Sequence, residues 1–406
     1  MARAGLLRVW LLALGMFAIG TDLFIVSGLL PAVGRDLGLS VGAAGQSVTA
    51  FALTYAVAAP VLASVTARRG RRGVLVAVLV VFAVGNGLSA VASSLVVLLL
   101  SRVVAGAGAA LFAATASGVA ARISPPRRRG QALAVVYAGM TSAIAVGVPL
   151  GNAIGALGSW RWAFAFVALL ALLAAAGLRL CLPALPGSTG VRLRERLSAI
   201  IIPSAPAALL VTMLWVVGTF VLYTYLGSVL ETETHAAPTT RTWLLLCFGV
   251  GSFVGVMVGG RLADRGNSTP ALAVSIALLV PVLVALSVAL HSVGGAGAGL
   301  MVWGLVHWAS FPLIQHRLLG IGGSHGEMLL ALNNSFVYLG QTTAAVLGGL
   351  QANAGHLARL PLVGAGFELL AALLLILTAW ARRSTHHHVT DSRVHQPNPA
   401  TDTAQP

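Results

Sequence analysis

The chain is a succession of apolar blocks, and each block is about as long as a helix that crosses a membrane. A helix of about 20 residues spans the roughly 30 Å of hydrocarbon in a bilayer. Only 9% of the 406 residues are charged, against about 25% in an ordinary soluble domain. The sequence therefore predicts an all-α membrane protein with twelve transmembrane helices. We expect them near residues 8–32, 44–66, 73–94, 97–121, 131–153, 161–183, 205–230, 242–262, 270–291, 295–316, 327–350 and 361–381.

One connection is longer than the others and lies almost midway along the chain. Residues 184–204 contain Pro, Gly, Ser and Arg, and we interpret them as a cytoplasmic linker between two six-helix halves, residues 1–183 and 205–383. The remaining residues, 384–406, are polar and aperiodic, which predicts a disordered cytoplasmic tail. Its run His386, His387 and His388 could hold a metal. A solvated tail is favoured and no metal site is predicted, because no second cluster completes a site.

The distribution of basic residues supports this number of helices. All 25 basic residues are Arg, and with both termini in the cytoplasm most of them lie in cytoplasmic segments, as the positive-inside rule requires. The opposite side holds only Arg35, Arg161, Arg241 and Arg359. Because these arginines occupy short connections between apolar blocks, we expect a lipid bilayer and no nucleic acid as partner. The first block follows no small-residue cleavage site, so we expect it to be retained as a span.

Small residues are concentrated in the fourth and fifth blocks. They let helix backbones approach closely in lipid, and a proline within such a helix bends it. From the spacing alone, ordinary tight packing is the favoured explanation. The residues are Gly106, Gly108, Ala109, Ala110, Ala113 and Ser117 in the fourth block, and Gly139, Gly147, Pro149, Gly151 and Gly155 in the fifth.

Both blocks resemble motifs of the drug:proton antiporters of the major facilitator superfamily. The fifth block resembles the antiporter signature that ends in Gly-x-Pro-x-Gly, and the fourth resembles a membrane Arg followed by Gly-x-Gly. The matching residues are Gly147, Pro149 and Gly151, and Arg102, Gly106 and Gly108. The resemblance extends over residues 8–381 and is closest to bacterial efflux permeases for chloramphenicol or arabinose-like sugars. It implies the major facilitator fold, two pseudo-symmetric halves with a substrate site between them, and a place in the bacterial inner membrane.

Two predicted cytoplasmic loops carry related motifs. The stretch GRLADRG after the eighth block is similar to the family's Gly-x-Leu-Ala-Asp-Arg loop, and ASVTARRGRRG after the second block keeps only its tail. The resemblance implies that both loops take part in gating. Ala63 and Ala67 stand where the family has Gly and Asp, so a carboxylate latch is not expected in the first half. The gating candidates are Gly70, Arg71 and Arg72 in the first loop, and Asp264 and Arg265 in the second.

Asp22 and Arg102 are charged residues inside apolar blocks. An ionised Asp near the bilayer centre costs about 2.5–3.5 kcal/mol, so it needs water, a partner or a proton. Burial favours the protonated form and an approaching cation favours the charged form, which is the behaviour of a proton carrier. A permanently protonated Asp22 that joins two helices is the alternative. Arg102 could be an interfacial anchor, but the resemblance implies a role in proton coupling, and we expect the two residues to be coupled.

The second half offers aromatic and neutral polar groups instead of charges. The resemblance implies that helices 1, 4, 7 and 10 line the cavity, which would bring Tyr223 and His307 near Asp22. Such walls suit a neutral or amphipathic small molecule. Singly, each aromatic is more often a packing or interfacial residue, and His307 more often a neutral hydrogen-bonding group than a proton carrier. The substrate-cavity candidates are Trp215, Tyr223, His307 and Asn333.

Glu368 is a further acid, about eight residues into the last block. The resemblance implies that the twelfth helix lies outside the cavity. A structural role or a protonated acid at the interface is therefore favoured for Glu368.

These features favour a secondary transporter that exports a small hydrophobic or amphipathic compound, such as chloramphenicol, in exchange for protons. Export of a sugar or another neutral metabolite is the alternative. No Gly-x4-Gly-Lys loop and no recognisable catalytic cluster occurs in the sequence, so we expect neither an enzyme nor a cofactor. A receptor or assembly factor on the same scaffold would tolerate substitution of Asp22 and Arg102. We expect the protein to act as a monomer.

Overall fold

The computed structural model describes residues 3–125, 128–187, 198–266 and 268–394. Helices connected by turns account for all regular structure within these ranges. The helices are α1 (Arg3–Leu37), α2 (Val41–Val65), α3 (Arg71–Ala90), α4 (Leu95–Ile123), α5 (Arg129–Ser142), α6 (Val148–Ala156), α7 (Trp160–Cys181), α8 (Ala205–Tyr223), α9 (Leu226–Thr232), α10 (Pro238–Ala263), α11 (Ser268–Ala289), α12 (Val293–Gly322), α13 (Gly326–Asn353) and α14 (Leu360–Val394).

The all-α fold with twelve transmembrane helices is confirmed. Within the described ranges, eleven candidate spans are long and apolar enough to cross a membrane, and α5 and α6 form one of them. The twelfth helix is α13, which has 28 residues but contains Asn333, Asn334 and Gln341, so its mean hydropathy is lower. The seventh predicted block is broken at Thr224 and Tyr225 into α8 and α9.

Serine side chains cap the N-termini of four of the described helices. The Oγ atoms of Ser40, Ser94, Ser159 and Ser292 each accept a hydrogen bond from a backbone N–H in the first turn of the helix that follows. Such N-caps pair one of the donors that a helix start leaves without an intrahelical acceptor. All four precede helices that start on the predicted non-cytoplasmic side, so short capped turns connect the spans there.

The helices before and after residues 188–197 pack mainly with members of their own group. In the first group α3 packs on α4 and α7, and α1 packs on α5 and α7. In the second group α12 packs on α10 and α11, while α14 packs on α8 and α11. The two groups meet where α2 lies on α13, and where α10 lies on α6 and the segment between α5 and α6. Of the predicted linker, residues 188–197 lie outside the described residues.

The antiporter-like stretch of the fifth block lies directly against α1. A π-helical segment, Ala143–Gly147, separates α5 from α6, and it ends two residues before Pro149. A Cβ at Gly147 would collide with the Thr21 hydroxyl, and a Cβ at Gly151 would collide with Ile25. The glycines therefore bring this helix close to the part of α1 that carries Asp22.

The last helix is longer than predicted. It continues to Val394, so residues 384–394 differ from the tail that the sequence predicts to be disordered. A helix that emerges from the bilayer keeps its hydrogen-bonding register, and this one contains no Pro or Gly between Phe367 and Val394. Residues 395–406 of that predicted tail lie outside the described residues.

Candidate transport site

The carboxylate of Asp22 and the guanidinium of Arg102 face each other inside the first group of helices. Nη1 donates to Oδ1 at 2.8 Å and Nη2 donates to Oδ2 at 3.0 Å. Asp22 is 0% exposed and Arg102 is 1% exposed. A bidentate geometry of this kind is the strongest that a carboxylate and an arginine form. The sequence predicted the two residues but not this contact, which joins positions 80 apart in the chain.

Aromatic rings shield this ion pair from water. The guanidinium of Arg102 lies 4.6 Å from the ring centroid of Phe51 and 5.4 Å from that of Phe164. Rings in this position stabilise a cation through their electron-rich faces. A Cβ at Gly106, one turn beyond Arg102, would lie 2.7 Å from the carbonyl oxygen of Phe51. The small residues of α4 thus hold α2 close enough for Phe51 to cover the pair.

A second cluster, the aromatic junction, joins α1 to the second group of helices. It consists of Phe24, Phe220, Tyr223 and Trp308, whose ring centroids lie 5.8 to 6.1 Å from that of Phe24. Phe24 is two residues from Asp22, so the junction begins beside the ion pair. Tyr223, a predicted cavity residue, also lies 4.9 Å from Phe248, centroid to centroid.

Space at the junction is small in this conformation. The cavity there holds about 10 Å³, roughly the room that one water needs. The residues that line this cavity must therefore move apart before a larger molecule can enter. The lining residues are Leu23, Ser27, Val48, Phe220, Tyr223, Thr224 and Gln341.

His307 and Trp215 lie together, deeper in the second group. Their rings stack at 4.1 Å and 11°, and His307 Nδ1 is 2.7 Å from the Thr219 hydroxyl. The Thr219 hydroxyl is also within 3.3 Å of Glu368 Oε1. Thr219, which sequence reasoning missed, thus links His307 to Glu368, and Trp215 joins the cluster through its stack on His307.

Several buried polar atoms of this region have no hydrogen-bond partner among the described residues. Both polar atoms of Asn333 belong to this set, as do Trp215 Nε1 and His307 Nε2. Buried polar atoms are normally paired with protein or water. Among the described residues, these atoms are concentrated in α8, α12 and α13. Asn333 is 0% exposed, and the described hydrogen bonds of Asp22 and Arg102 do not include it.

Residues 12–318 match the family model of the Major Facilitator Superfamily. The chain belongs to the major facilitator superfamily. It is 33% identical over 372 residues to the inner membrane transport protein YdhP of Escherichia coli (strain K12), which covers 91% of this chain and 95% of that protein. It is 38% identical over 266 residues to a chloramphenicol resistance protein of Streptomyces lividans, covering 64% of this chain and 67% of that protein.

The solved structures show the same fold. The transporter superposes on the crystal structure of a D-xylose–proton symporter with a TM-score of 0.74 at 17% identity, covering 91% of this chain and 97% of that one. The resemblance to the superfamily that the motifs suggested is therefore confirmed. The transporter is a multi-pass membrane protein of a family with bacterial relatives.

The predicted gating loops of this transporter are in different surroundings. The first loop contacts the chain that follows α7: Arg71 N donates to the Leu185 carbonyl at 2.9 Å, and Arg72 Nη1 donates to the Leu182 carbonyl at 3.2 Å. Gly70 lies beside the same Leu185 carbonyl. In the second loop Asp264 and Arg265 are exposed, and among the described residues the Asp264 carboxylate forms no salt bridge.

On the opposite side of the transporter, an acid that sequence reasoning missed joins the two groups of helices. Glu231 in α9 accepts from Arg35 at the end of α1 and from Arg241 at the start of α10, each at 2.6 Å. Nearby, a Cβ at Gly227 would lie 2.5 Å from the Ser27 carbonyl oxygen. The halves are therefore in close contact at this end.

Proposed function

We propose that this protein exports a small hydrophobic or amphipathic compound, such as chloramphenicol, in exchange for protons. The observation that carries the proposal is the buried, bidentate Asp22–Arg102 pair beside an aromatic junction that spans both groups of helices. The likeness to a chloramphenicol resistance protein supports this choice of compound.

The ion pair offers two states that differ by one proton. When Asp22 is charged, it neutralises Arg102, and neither group is left as an isolated charge in a medium where that is costly. When Asp22 takes up a proton, Arg102 loses its charged partner and becomes free to contact another acceptor. Because these states favour different contacts between α1 and α4, proton binding can shift the balance between two arrangements of the halves.

The junction suits an apolar compound. Phe24, Phe220, Tyr223 and Trp308 present aromatic faces that meet each other in the closed state. When the halves separate, these faces lose their partners, and an apolar or amphipathic molecule can replace them. Polar atoms without partners, such as Trp215 Nε1 and those of Asn333, would fix its orientation.

In the proposed cycle Asp22 gains a proton while the site faces outward, the halves rock, and loss of the proton inside accompanies substrate capture. Export requires tighter substrate binding in the inward state. We further propose that both termini are cytoplasmic, as the positive-inside rule indicates, that the protein resides in the bacterial inner membrane, and that it acts as a monomer.

Chloramphenicol accumulation in bacterial cells tests the proposal. Wild type, Asp22→Asn and Asp36→Asn are compared at equal membrane expression, with and without a protonophore. Asp36 is the matched control, because it lies in the same helix and also binds an arginine, Arg161, but is half-exposed. Wild type and Asp36→Asn should lower accumulation, and Asp22→Asn or the protonophore should abolish the effect.

Two results would contradict parts of the proposal. Equal export by Asp22→Asn would make Asp22 a structural residue that joins α1 to α4. No difference between wild-type and empty cells would exclude chloramphenicol, and export of arabinose under the same conditions would then favour the sugar alternative.

A further inference from the structure

We infer that the second group of helices contains an additional proton-binding site, formed by Glu368 of α14, Thr219 of α8 and His307 of α12. The site is separate from the Asp22–Arg102 pair, which lies in the first group. Its role in transport rests on the proposed proton coupling, whereas proton binding at the site does not.

Glu368 is buried without a basic partner. It is 0% exposed, its Oε1 lies 3.3 Å from the Thr219 hydroxyl, and its Oε2 has no hydrogen-bond partner among the described residues. The four salt bridges of the described chain do not include it. A buried carboxylate with one neutral hydrogen bond is costly to ionise. In the closed state a proton is therefore what neutralises this group.

The Thr219 hydroxyl connects the acid to a base. It lies 2.7 Å from His307 Nδ1 and 3.3 Å from Glu368 Oε1, and it has only one proton to donate. In one arrangement protonated Glu368 donates to Thr219, and Thr219 donates to the neutral Nδ1. When both hydrogen bonds reverse, the Glu368 proton moves to the Thr219 oxygen while the original Thr219 proton moves to Nδ1. Glu368 becomes a carboxylate, Thr219 keeps one proton, and His307 becomes an imidazolium. Atoms and charge balance, and one proton has moved from Glu368 to His307.

The helices are shaped to place the acid there. A Cβ at Gly218 would lie 2.7 Å from Glu368 Oε1, so the acid occupies space that only a glycine leaves open. A Cβ at Gly364, one turn before Glu368, would collide with the Gly218 carbonyl. The crossing of α8 and α14 therefore depends on two glycines, and it directs Glu368 into the helix group and away from lipid.

Burial keeps His307 neutral in the closed state, since it is 1% exposed and burial disfavours the charged form, but one contact can stabilise an imidazolium once water enters. The His307 ring stacks on Trp215 at 4.1 Å and 11°, and an aromatic face stabilises a cation above it. The other ring nitrogen, Nε2, has no partner among the described residues. It can therefore pass its proton to water that enters when the halves separate.

The other titratable groups on the neighbouring helices do not neutralise Glu368 in place of its proton. The helix α11 packs on both α12 and α14 and contains no titratable side chain. Tyr223 of α8 and Tyr338 of α13 carry no charge in their ordinary state, and Glu327, in the first turn of α13, is exposed. In α10 the candidates are Cys247 and, near the helix ends, Arg241 and Arg261. None of these groups forms a hydrogen bond or an ion pair with Glu368 or His307 among the described contacts.

The site is next to the aromatic junction. The His307 ring lies 6.4 Å from Phe220 and 5.6 Å from Trp308, centroid to centroid, and both of these rings contact Phe24. A change of charge on His307 thus acts on the same contacts that the Asp22–Arg102 pair adjoins. Two proton sites, one in each group of helices, would both bias the separation of the halves.

Infrared difference spectroscopy tests proton binding without any substrate. The purified full-length protein in lipid is titrated with pH, and the C=O stretch of protonated carboxylic acids is followed. The chain has only 10 Asp and Glu residues, so single bands can be assigned by substitution. We expect a band that loses intensity as pH rises, that is absent in Glu368→Gln and that persists in Asp22→Asn. In His307→Gln it should persist to higher pH, because the acceptor of the proton is missing.

Two results would overturn the inference: a Glu368→Gln spectrum identical to that of wild type at every pH, or a Glu368 band whose intensity does not change with pH. If Glu368→Gln does not fold, Thr219→Val tests the same inference. Removal of the hydroxyl should shift the frequency of the Glu368 band, and an unchanged band would show that Thr219 does not contact the acid. Failure of chloramphenicol export would contradict the proposed function and leave this measurement unaffected.

Discussion

Glu231 and Arg35 form an ion pair at 2.6 Å between α9 and α1, across the two groups of helices. The side chains are 36% and 61% exposed, so solvent screens the pair and its contribution to stability is about 0–1 kcal/mol. A contact of this size has little effect on folding. It can still shift the balance between closed and open arrangements several-fold, because the pair exists only when this end is closed.

Glu231→Gln should therefore make this end of the transporter open more often. A cysteine at Ser228, which is 3% exposed in α9, reports opening when Cys181 and Cys247 are replaced by Ala. We expect an impermeant maleimide to label Ser228→Cys about two- to five-fold faster in the Glu231→Gln background.

The Asp36–Arg161 pair provides the control for this labelling. Its side chains are partly exposed, at 31% and 43%, and it lies at the same end of the protein. Both of its partners, however, belong to the first group of helices. Asp36→Asn should leave the labelling rate unchanged. Equal acceleration by Asp36→Asn and Glu231→Gln would show that loss of any surface charge loosens this end.

Removal of one partner from the Asp22–Arg102 pair should destabilise the protein more than removal of both. Asp22→Asn leaves a buried arginine without a counter-charge, and Arg102→Gln leaves a buried carboxylate without one, at a cost of about 3–5 kcal/mol each. The double variant contains no buried charge at this place. Thermal unfolding in detergent should show lower midpoints for both single variants and partial recovery in the double variant. Additive losses would indicate that the two residues act independently.

The contact between the antiporter-like stretch and α1 predicts a second coupled pair. Gly147→Ala should lower the unfolding temperature, because its Cβ would collide with the Thr21 hydroxyl. Thr21→Ala removes that hydroxyl, so the double variant should recover part of the loss. Gly118→Ala in α4 is the control, since its Cβ would have no neighbour within 4 Å, and alanine is a better helix former by about 1 kcal/mol. No recovery in the double variant would contradict this assignment of the clash.

Tyr225 and Tyr338 should respond differently to loss of the hydroxyl. The Tyr225 hydroxyl donates to the Ala345 carbonyl at 2.6 Å in a buried position, so Tyr225→Phe should lower stability by about 0.5–1.5 kcal/mol. The Tyr338 hydroxyl interacts with Tyr55 without a well-formed hydrogen bond, and its ring stacks on Tyr55 at 3.5 Å. Tyr338→Phe keeps the stack and should be nearly neutral in thermal unfolding. The reverse order of the two variants would contradict these hydrogen-bond assignments.

The number and place of the helices could be predicted from the sequence because lipid imposes a fixed length on an apolar span. The break at Thr224 and Tyr225 could not. Neither residue is a Pro or a Gly, and Tyr225 instead has a long-range partner in Ala345. Tertiary contacts of this kind leave no local pattern.

The site was predicted residue by residue, and its contacts were not. Asp22 and Arg102 were identifiable because charges within apolar blocks are rare, but their distance depends on how α1 and α4 pack. Glu368 was expected on a peripheral helix. Gly364, four residues earlier and therefore on the same face, was a signal that this face approaches another helix. Thr219 gave no signal, because a threonine in a membrane helix most often bonds its own backbone.

Proton coupling at Asp22 is tested most directly in proteoliposomes that contain purified wild type or Asp22→Asn. Radiolabelled chloramphenicol uptake is measured once with an imposed pH gradient and once as exchange against unlabelled chloramphenicol at equal pH. We predict that wild type performs both, and that Asp22→Asn retains exchange but does not respond to the gradient. Accumulation driven by the pH gradient in Asp22→Asn, at the wild-type rate, would contradict the role of Asp22 as the proton carrier.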